Sequence, residues 1–214
     1  MAYRVVAISP TDGSAGEQVG PIVARELGFR IVNEQIVALA AQEAGVTAEV
    51  VANVERRKSV LTRMFESLGE IGPAGAAGVS GYAPIYEDMS PDREALRGLI
   101  RSALEDSAER GNAVIVAHAA SLALGGKPDV LRVLITASPE TRAQRLAEEQ
   151  GIDEGEAKKL VSRGDAGRAD YLKRFYGTAE LPTHYDIVIN TDRVTPEDAA
   201  ALVLGAARSQ QVPA

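Results

Sequence analysis

Residues 3–18 read YRVVAISPTDGSAGEQ, and this stretch decides how the chain folds. Its first half is an apolar run typical of a buried strand, its middle is a turn that contains glycine, and a helical pattern follows from Glu17. A strand, a glycine turn and a helix in this order place main-chain N–H groups around an anion at the start of the helix. The stretch therefore predicts a loop that cradles a phosphate through the amides of Gly13, Ser14, Ala15, Gly16, Glu17 and Gln18.

This loop lacks two residues of the usual phosphate-binding pattern. That pattern ends in Gly-Lys-Ser/Thr, whereas Gly16 is followed by Glu17 and Gln18. A generic strand–helix turn, with glycines for geometry alone, is the alternative interpretation. The position of the loop after the first strand favours a ligand site, because α/β sheets bind ligands at the carboxyl ends of their strands.

Size and composition restrict the class of protein. A length of 214 residues suits a single domain. The net charge of −7 disfavours a nucleic-acid surface, and the absence of cysteine excludes disulfides and thiolate zinc sites. The sequence has no apolar run of membrane-spanning length and no signal-peptide pattern at its start. We expect a cytoplasmic protein that binds a nucleotide or a small phosphorylated ligand, without nucleic-acid or membrane partners.

Apolar runs alternate with helical patterns along the chain. Two runs, residues 113–117 and 130–135, are almost continuously apolar, as in strands that are covered on both faces. The alternation predicts an α/β fold with a mostly parallel sheet. The predicted strands are Arg4–Ser9, Phe29–Val32, Asn112–Ala117, Leu131–Thr136 and Asp186–Asn190. The predicted helices are Glu17–Leu27, Gln35–Ala44, Thr47–Leu68, Asp92–Arg110, Pro139–Gln150, Asp153–Phe175 and Pro196–Arg208.

The region before the third strand carries two unassigned features. Gly69–Ser90 is so rich in Gly and Pro that we expect either a functional lid or a disordered loop. The apolar helical stretch Val50–Leu68 is core by default, with a homodimer face as the alternative.

A basic segment near the C-terminus is the second candidate site. The segment from Lys158 to Arg174 contains six basic residues and only two acidic ones. Arg142 and Arg145 lie on the preceding predicted helix. Arginine suits bidentate contact with phosphate. The alternative is a solvated helix face with ordinary ion pairs. Because these side chains have no evident packing role, we expect substitution of Arg168 to cost little stability.

His118 is the third candidate, since it directly follows the strand predicted at Asn112–Ala117. A residue in that position points into the ligand crevice of an α/β sheet. A lone histidine is also compatible with a hydrogen-bonded structural role, and we do not assign it as a general base.

Several patterns in order resemble the cytidylate kinase-like family, relatives of the nucleoside monophosphate kinases. The resemblance covers nearly the whole chain. The lid pattern Asp-x-x-Arg-x-x-Tyr, for example, corresponds to residues 165–171. The other matching segments are Ile8-Ser9 with Gly13–Gly16, Leu27-Gly28, Val114–His118, Ala137–Arg145, Lys173–Gly177 and Tyr185–Asp192.

The resemblance implies a P-loop kinase-like three-layer sandwich with a five-stranded parallel sheet, a helical insertion and a lid. The single domain would comprise a core (1–44, 111–149 and 177–214), an acceptor-binding insertion (45–110) and a lid (150–176). It also implies ATP and Mg²⁺ as cofactors, and phosphoryl transfer to a nucleoside monophosphate or another small acceptor.

The chain departs from the family pattern at the loop and at His118. Gly16 stands where the loop lysine of the monophosphate kinases belongs, and Gln18 where the Mg²⁺-binding Ser/Thr belongs. His118 replaces the arginine that would hold the acceptor phosphate, and we assign no metal ligand. Three hypotheses remain: a kinase whose positive charge comes from Arg142, Arg145, Arg163 and Arg168, a catalytically weak nucleotide- or anion-binding regulator, or a scaffold with an empty loop.

Overall fold

The structure is a computed structural model that describes residues 3–33 and 91–209, and for residues 91–100 it describes the main chain only. The helices predicted at Gln35–Ala44 and Thr47–Leu68, the loop Gly69–Ser90 and most of the predicted insertion lie outside the described residues.

Five parallel strands form one sheet, which confirms the predicted α/β class. The strands are β1 (Val5–Pro10), β2 (Arg30–Asn33), β3 (Ala113–Val116), β4 (Val130–Thr136) and β5 (Ile187–Asn190). The order across the sheet is β2-β3-β1-β4-β5, so that β1 lies in the middle. Every residue of β1 is buried, as the apolar run at the start of the chain predicts.

Helices follow the strands and cover the sheet. The described helices are α1 (Gly16–Leu27), α2 (Pro91–Arg110), α3 (Ala120–Ala123), α4 (Pro139–Gln150), α5 (Glu154–Tyr176) and α6 (Pro196–Arg208). The four-residue helix α3 and a 3₁₀ turn at Pro182–His184 are additions to the predicted elements, since segments this short carry no periodic signal. None of the described helices combines the length and the apolar character needed to cross a membrane.

The sheet separates two layers of helices. On one face, Val6 and Ile8 of β1 pack with α1 and α6 in the main hydrophobic core. On the other face, Ser121 of α3 meets Ser9, with 3.1 Å between their hydroxyl oxygens. Neighbouring strand residues point to opposite faces, so α1 and α6 lie across the sheet from α3. The layers agree with the predicted three-layer sandwich.

Helices α4 and α5 form a pair beyond the edge of this core. Ala143 and Leu146 of α4 pack against Ala157 and Val161 of α5 in a separate small cluster. Asp153 caps α5 by accepting hydrogen bonds from the N–H groups of Gly155 (2.8 Å) and Glu156 (3.0 Å). The pair carries the basic segment, and the loop after β1 lies against it.

Candidate functional site

The loop between β1 and α1 has the alternating conformation of an anion nest. Gly13 (φ 73°) and Ala15 (φ 62°) are both left-handed. A left-handed alanine costs about 1–2 kcal/mol, so the surrounding structure must enforce this conformation. Gly13 also has no room for a side chain, because a Cβ there would lie 2.6 Å from the carbonyl oxygen of Arg142. Alternating left-handed residues turn successive N–H groups into one concavity.

Part of the predicted cradle is used within the loop itself. The Ser14 N–H donates to the carbonyl of Thr11 (3.0 Å), and the Gln18 N–H donates to the carbonyl of Ala15 (3.1 Å). Across residues 3–33 and 91–209, the N–H groups of Gly13, Ala15 and Gly16 donate to no main-chain carbonyl outside the helices and strands. The Glu17 N–H also has no such acceptor, but the Glu17 carboxylate forms a hydrogen bond with its own main chain. The amides of Gly13, Ala15 and Gly16 are therefore the ones in the loop that remain for an anion.

The loop offers hydrogen-bond donors that fit a nucleotide phosphate, whereas it offers fewer ligands for Mg²⁺. The buried hydroxyl of Ser14 has no hydrogen-bond partner in the described part of the chain, and it lies in the same turn as the three amides. The described residues contain no group of three or more His, Cys, Asp or Glu side chains arranged for a metal. Mg²⁺ is usually held by one or two carboxylates together with substrate phosphates, so a bound nucleotide would supply part of its ligands.

Asp12 and His118 meet beside the loop. Asp12 Oδ1 lies 3.1 Å from His118 Nε2, and the two side chains are 10% and 15% exposed. The residues are 106 positions apart in sequence, and they meet because β1 and β3 are neighbours in the sheet. His118 thus lies at the predicted crevice, but its partner is a carboxylate.

Glu17 places a second acidic group at the start of α1. Its side chain is half-buried, and burial raises the pKa of its carboxyl. The nearby charge of His118 acts to lower this pKa, while Asp12 and Glu149 act to raise it. Burial dominates, so the ionised form of Glu17 is disfavoured in the folded protein.

We expect Glu17→Gln to raise the melting temperature at pH 8 and to leave it unchanged at pH 4. A raised pKa makes the folded state lose stability as the pH rises from the unfolded pKa through the folded one, and glutamine removes that loss. Thermal unfolding of both proteins at the two pH values measures the effect. Equal melting temperatures at pH 8 would show that Glu17 is not held in an unfavourable charged state.

Arg142 is buried and bound to a carboxylate of α5. Its Nη1 and Nη2 donate to the two oxygens of Asp165, at 2.8 and 2.6 Å. Asp165 remains 46% exposed, so the pair lies at the surface of the α4–α5 contact. This fork geometry is the one that arginine also uses for phosphate.

Arg145 holds the back of the loop through Thr191. Its Nη1 donates to Thr191 Oγ1 (2.9 Å), its Nη2 to the Thr191 carbonyl (2.6 Å), and Nη1 also approaches the Gly13 carbonyl at 3.4 Å. Thr191 Oγ1 lies 2.9 Å from the carbonyl of Ser14. The loop carbonyls of Gly13 and Ser14 are thereby held on the side of Arg145 and Thr191.

Arg168 ties α5 to the end of β1. Its Nη1 donates to the Pro10 carbonyl (3.1 Å), while its Nε (2.9 Å) and Nη2 (2.5 Å) donate to Glu180. Tyr185 completes the network with a hydrogen bond to Glu180. Burial acts to raise the pKa of Glu180, but the hydrogen bonds and charge of Arg168 outweigh it and leave that pKa lowered. The expectation that Arg168 has no packing role is therefore wrong.

Arg163 differs from the other three arginines because its side chain is exposed on α5. The structure thus brings Arg142, Arg145 and Arg168 to the loop region and leaves Arg163 facing solvent.

Four residues to which the sequence analysis gives no role take part in this site: Asp12, Asp165, Glu180 and Thr191. Asp165 and Thr191 belong to segments that carry the family resemblance, and that resemblance is the sequence signal that could have identified them.

A cavity of about 500 Å³ opens beside the loop. Thr11 lines it from the loop, Arg168 and Lys173 line it from α5, and residues 177–180 close its far side. The volume lies within the range of small-ligand sites in proteins.

Comparisons with known proteins agree with this geometry. The sequence profile of the cytidylate kinase-like family matches residues 5–193. A cytidylate kinase of Ignicoccus hospitalis is 30% identical over 195 residues, which cover 90% of this chain and 92% of that protein.

Solved structures support the fold alone, since their identities are low. An uncharacterised protein from Eubacterium ventriosum superposes with a TM-score of 0.61 at 17% identity, covering 96% of this chain and 99% of that one. A shikimate kinase from Acinetobacter baumannii in complex with shikimate gives a TM-score of 0.53 at 14% identity, covering 99% and 96%. The chain thus has an α/β P-loop kinase fold.

Proposed function

Because the chain belongs to the cytidylate kinase-like family, we propose that it binds ATP with Mg²⁺ and transfers a phosphoryl group to a nucleoside monophosphate or another small acceptor. The loop at Gly13–Gly16 carries this proposal, since its left-handed residues present three amides at a helix N-terminus. ATP supplies the phosphoryl group, and Mg²⁺ supplies positive charge on its oxygens. Such a reaction belongs in the cytoplasm, where ATP is abundant.

Each arginine has a distinct part in this proposal. Arg145 positions the loop through Thr191, and Arg168 fixes α5 against the end of β1. Arg142 supplies positive charge by exchanging the exposed carboxylate of Asp165 for phosphoryl oxygens in the same bidentate geometry. Arg163 supplies further charge from the surface of α5. Positioning and charge are most of what phosphoryl transfer requires from a protein.

A regulatory protein that binds a nucleotide without transferring its phosphate is the second candidate. Two observations favour it: Gly16 stands where the family has the loop lysine, and Arg142 and Arg168 are both bound to carboxylates. Loss of one stabilising group at a charged transition state costs about 3–4 kcal/mol of barrier, so this arrangement is compatible with binding and very slow transfer.

ADP release separates the two candidates. We expect ATP with Mg²⁺ at a hundred times its Kd to stabilise the folded protein by about 2.7 kcal/mol, seen as a higher melting temperature. For a kinase, a coupled assay also detects ADP when CMP, other monophosphates or small alcohols are added. A thermal shift without acceptor-dependent ADP would support the binding protein, and no shift with any nucleotide at millimolar concentration would contradict both candidates.

A further inference from the structure

The ion pair between Arg142 and Asp165 has one fixed half and one movable half. The Arg142 side chain comes from α4 and is 5% exposed, whereas the Asp165 side chain is 46% exposed on α5. An exposed carboxylate can turn into water at little cost, but a buried guanidinium is costly to leave without a counter-charge. The arginine therefore stays in place, and the carboxylate is the partner that another anion can replace.

Asp165 does not satisfy the whole guanidinium of Arg142. Nη1 and Nη2 donate to its two oxygens at 2.8 and 2.6 Å, while the buried Nε has no hydrogen-bond partner in the described part of the chain. A phosphate group offers three acceptor oxygens and about two negative charges, and it accepts the same bidentate pair of hydrogen bonds. A phosphate can therefore replace Asp165 and satisfy more of the donors.

Both halves of the pair adjoin the loop between β1 and α1. The main chain of Arg142 lies against Gly13, where a Cβ would be 2.6 Å from the Arg142 carbonyl oxygen. Asp165 follows Gly164, where a Cβ would overlap the carboxylate of Asp12. Asp165 also lines the cavity that opens beside the loop. The pair is therefore a neighbour of the phosphate site that we propose at the loop.

The other two arginines at the loop have partners that exchange less readily. Arg145 donates to the hydroxyl group and the carbonyl of Thr191, which are uncharged. Arg168 donates to Glu180, whose side chain is only 26% exposed, and to a main-chain carbonyl at the end of β1. Of these three arginines, Arg142 is the one whose partner is an exposed carboxylate.

We propose that Asp165 is a built-in competitor of phosphate: its carboxylate occupies Arg142 in the ligand-free protein, and a nucleotide binds by displacing it. This proposal rests on the nucleotide binding of the proposed function and specifies how that site is regulated. Only the Asp165 side chain has to turn away, because Arg168 and the small apolar cluster between α4 and α5 hold the helix. The competitor lowers the observed affinity by the fraction of molecules in which it occupies the arginine.

Asp165→Asn removes the competing charge and keeps the size of the side chain. We expect this variant to bind tripolyphosphate and Mg²⁺-ATP at least about fivefold more tightly than the wild-type protein, the lower end of a typical coupling between two ligands. Without a ligand it should melt at a lower temperature, because the buried Arg142 loses its counter-charge. Tripolyphosphate should then raise its melting temperature more than that of the wild type. Calorimetric titration and thermal unfolding measure the two effects.

Asp170→Asn is the matched control for the loss of one negative charge. Asp170 is exposed on the same helix, lines the same cavity and forms no ion pair within residues 3–33 and 101–209. We expect its substitution to change both affinities by less than about threefold, since it releases no arginine.

Two further measurements show whether Asp165 acts through Arg142. Arg142→Gln removes the group for which the two anions compete, so adding Asp165→Asn to it should give no gain in affinity. In the wild-type protein, tripolyphosphate should shift the side-chain ¹⁵N signals of Arg142. This measurement tests the proposal even if Asp165→Asn does not fold.

The outcomes distinguish this proposal from the proposed function. A gain in affinity no larger in Asp165→Asn than in Asp170→Asn would overturn the competitor and leave nucleotide binding standing. The same gain in the Arg142→Gln background, or unchanged Arg142 signals at saturating tripolyphosphate, would overturn it as well. The expected gain without ADP release for any acceptor would support the competitor and contradict the kinase. Failure of both the wild type and Asp165→Asn to bind either ligand would overturn the phosphate site itself.

Discussion

Replacing Arg168 with alanine is expected to destabilise the protein by about 3 kcal/mol, the lower end of the cost of breaking a buried ion pair. The guanidinium is 7% exposed and donates to Glu180 and to the Pro10 carbonyl, and alanine would leave both acceptors without these bonds. Glu180 is 26% exposed, which is why the lower end applies. Urea unfolding measures the loss.

Arg163→Ala is the matched control, because Arg163 lies on the same helix with an exposed side chain. We expect it to change the free energy of unfolding by less than about 0.5 kcal/mol. The pH dependence gives a second test. The lowered pKa of Glu180 contributes stability above its unfolded pKa, and this contribution is lost as the pH falls through the folded pKa. Arg168→Ala should remove it, so equal losses at pH 7 and pH 3 would contradict this role.

Gly13→Ala is expected to abolish nucleotide binding and to lower stability by about 2–5 kcal/mol. Two costs combine: about 1–2 kcal/mol for a left-handed alanine, and about 1–3 kcal/mol for forcing a methyl group against the Arg142 carbonyl. The added methyl group pushes the loop away from α4, and this displacement changes the positions of the three amides that would bind the phosphate. Calorimetric titration with Mg²⁺-ATP and urea unfolding together measure the effect.

Gly28→Ala isolates the conformational cost. Gly28 has a similar φ of 66° at the end of α1, but a Cβ there would meet nothing within 4 Å. We expect this variant to lose about 1–2 kcal/mol and to bind ATP normally. If Gly13→Ala lost no more stability than Gly28→Ala, or if it still bound ATP, the close approach of Gly13 to Arg142 would not be needed for stability or for nucleotide binding.

The sheet could be predicted from the sequence because strands that are buried on both faces consist of continuous apolar residues. Continuous apolar runs mark β3 and β4, and the run before Pro10 marks the central strand. One part of the loop geometry was predictable for a different reason, since the residue type of Gly13 itself allows a left-handed conformation. The left-handed conformation of Ala15 has no such signal in the sequence. Short elements such as Ala120–Ala123 leave no comparable periodic signal.

The hydrogen-bond partners of the arginines could not be predicted from the sequence, because tertiary packing determines them. Arg142 meets Asp165 23 positions away, and Arg145 meets Thr191 46 positions away. Composition alone made this segment look like a solvated or ligand-facing basic surface. The contact between Asp12 and His118 was not predictable for the same reason, since it requires β1 and β3 to be neighbours, which no local pattern encodes.

Amide chemical shifts of the loop measure the central claim most directly. In a ¹⁵N-labelled sample titrated with Mg²⁺-ATP, we expect the largest and saturable shifts at Gly13, Ala15 and Gly16, with smaller ones at Ser14 and Gln18, whose N–H groups donate within the loop. Saturable binding with shifts confined to other regions, or no shifts at millimolar Mg²⁺-ATP, would contradict the claim that this loop is the phosphate site.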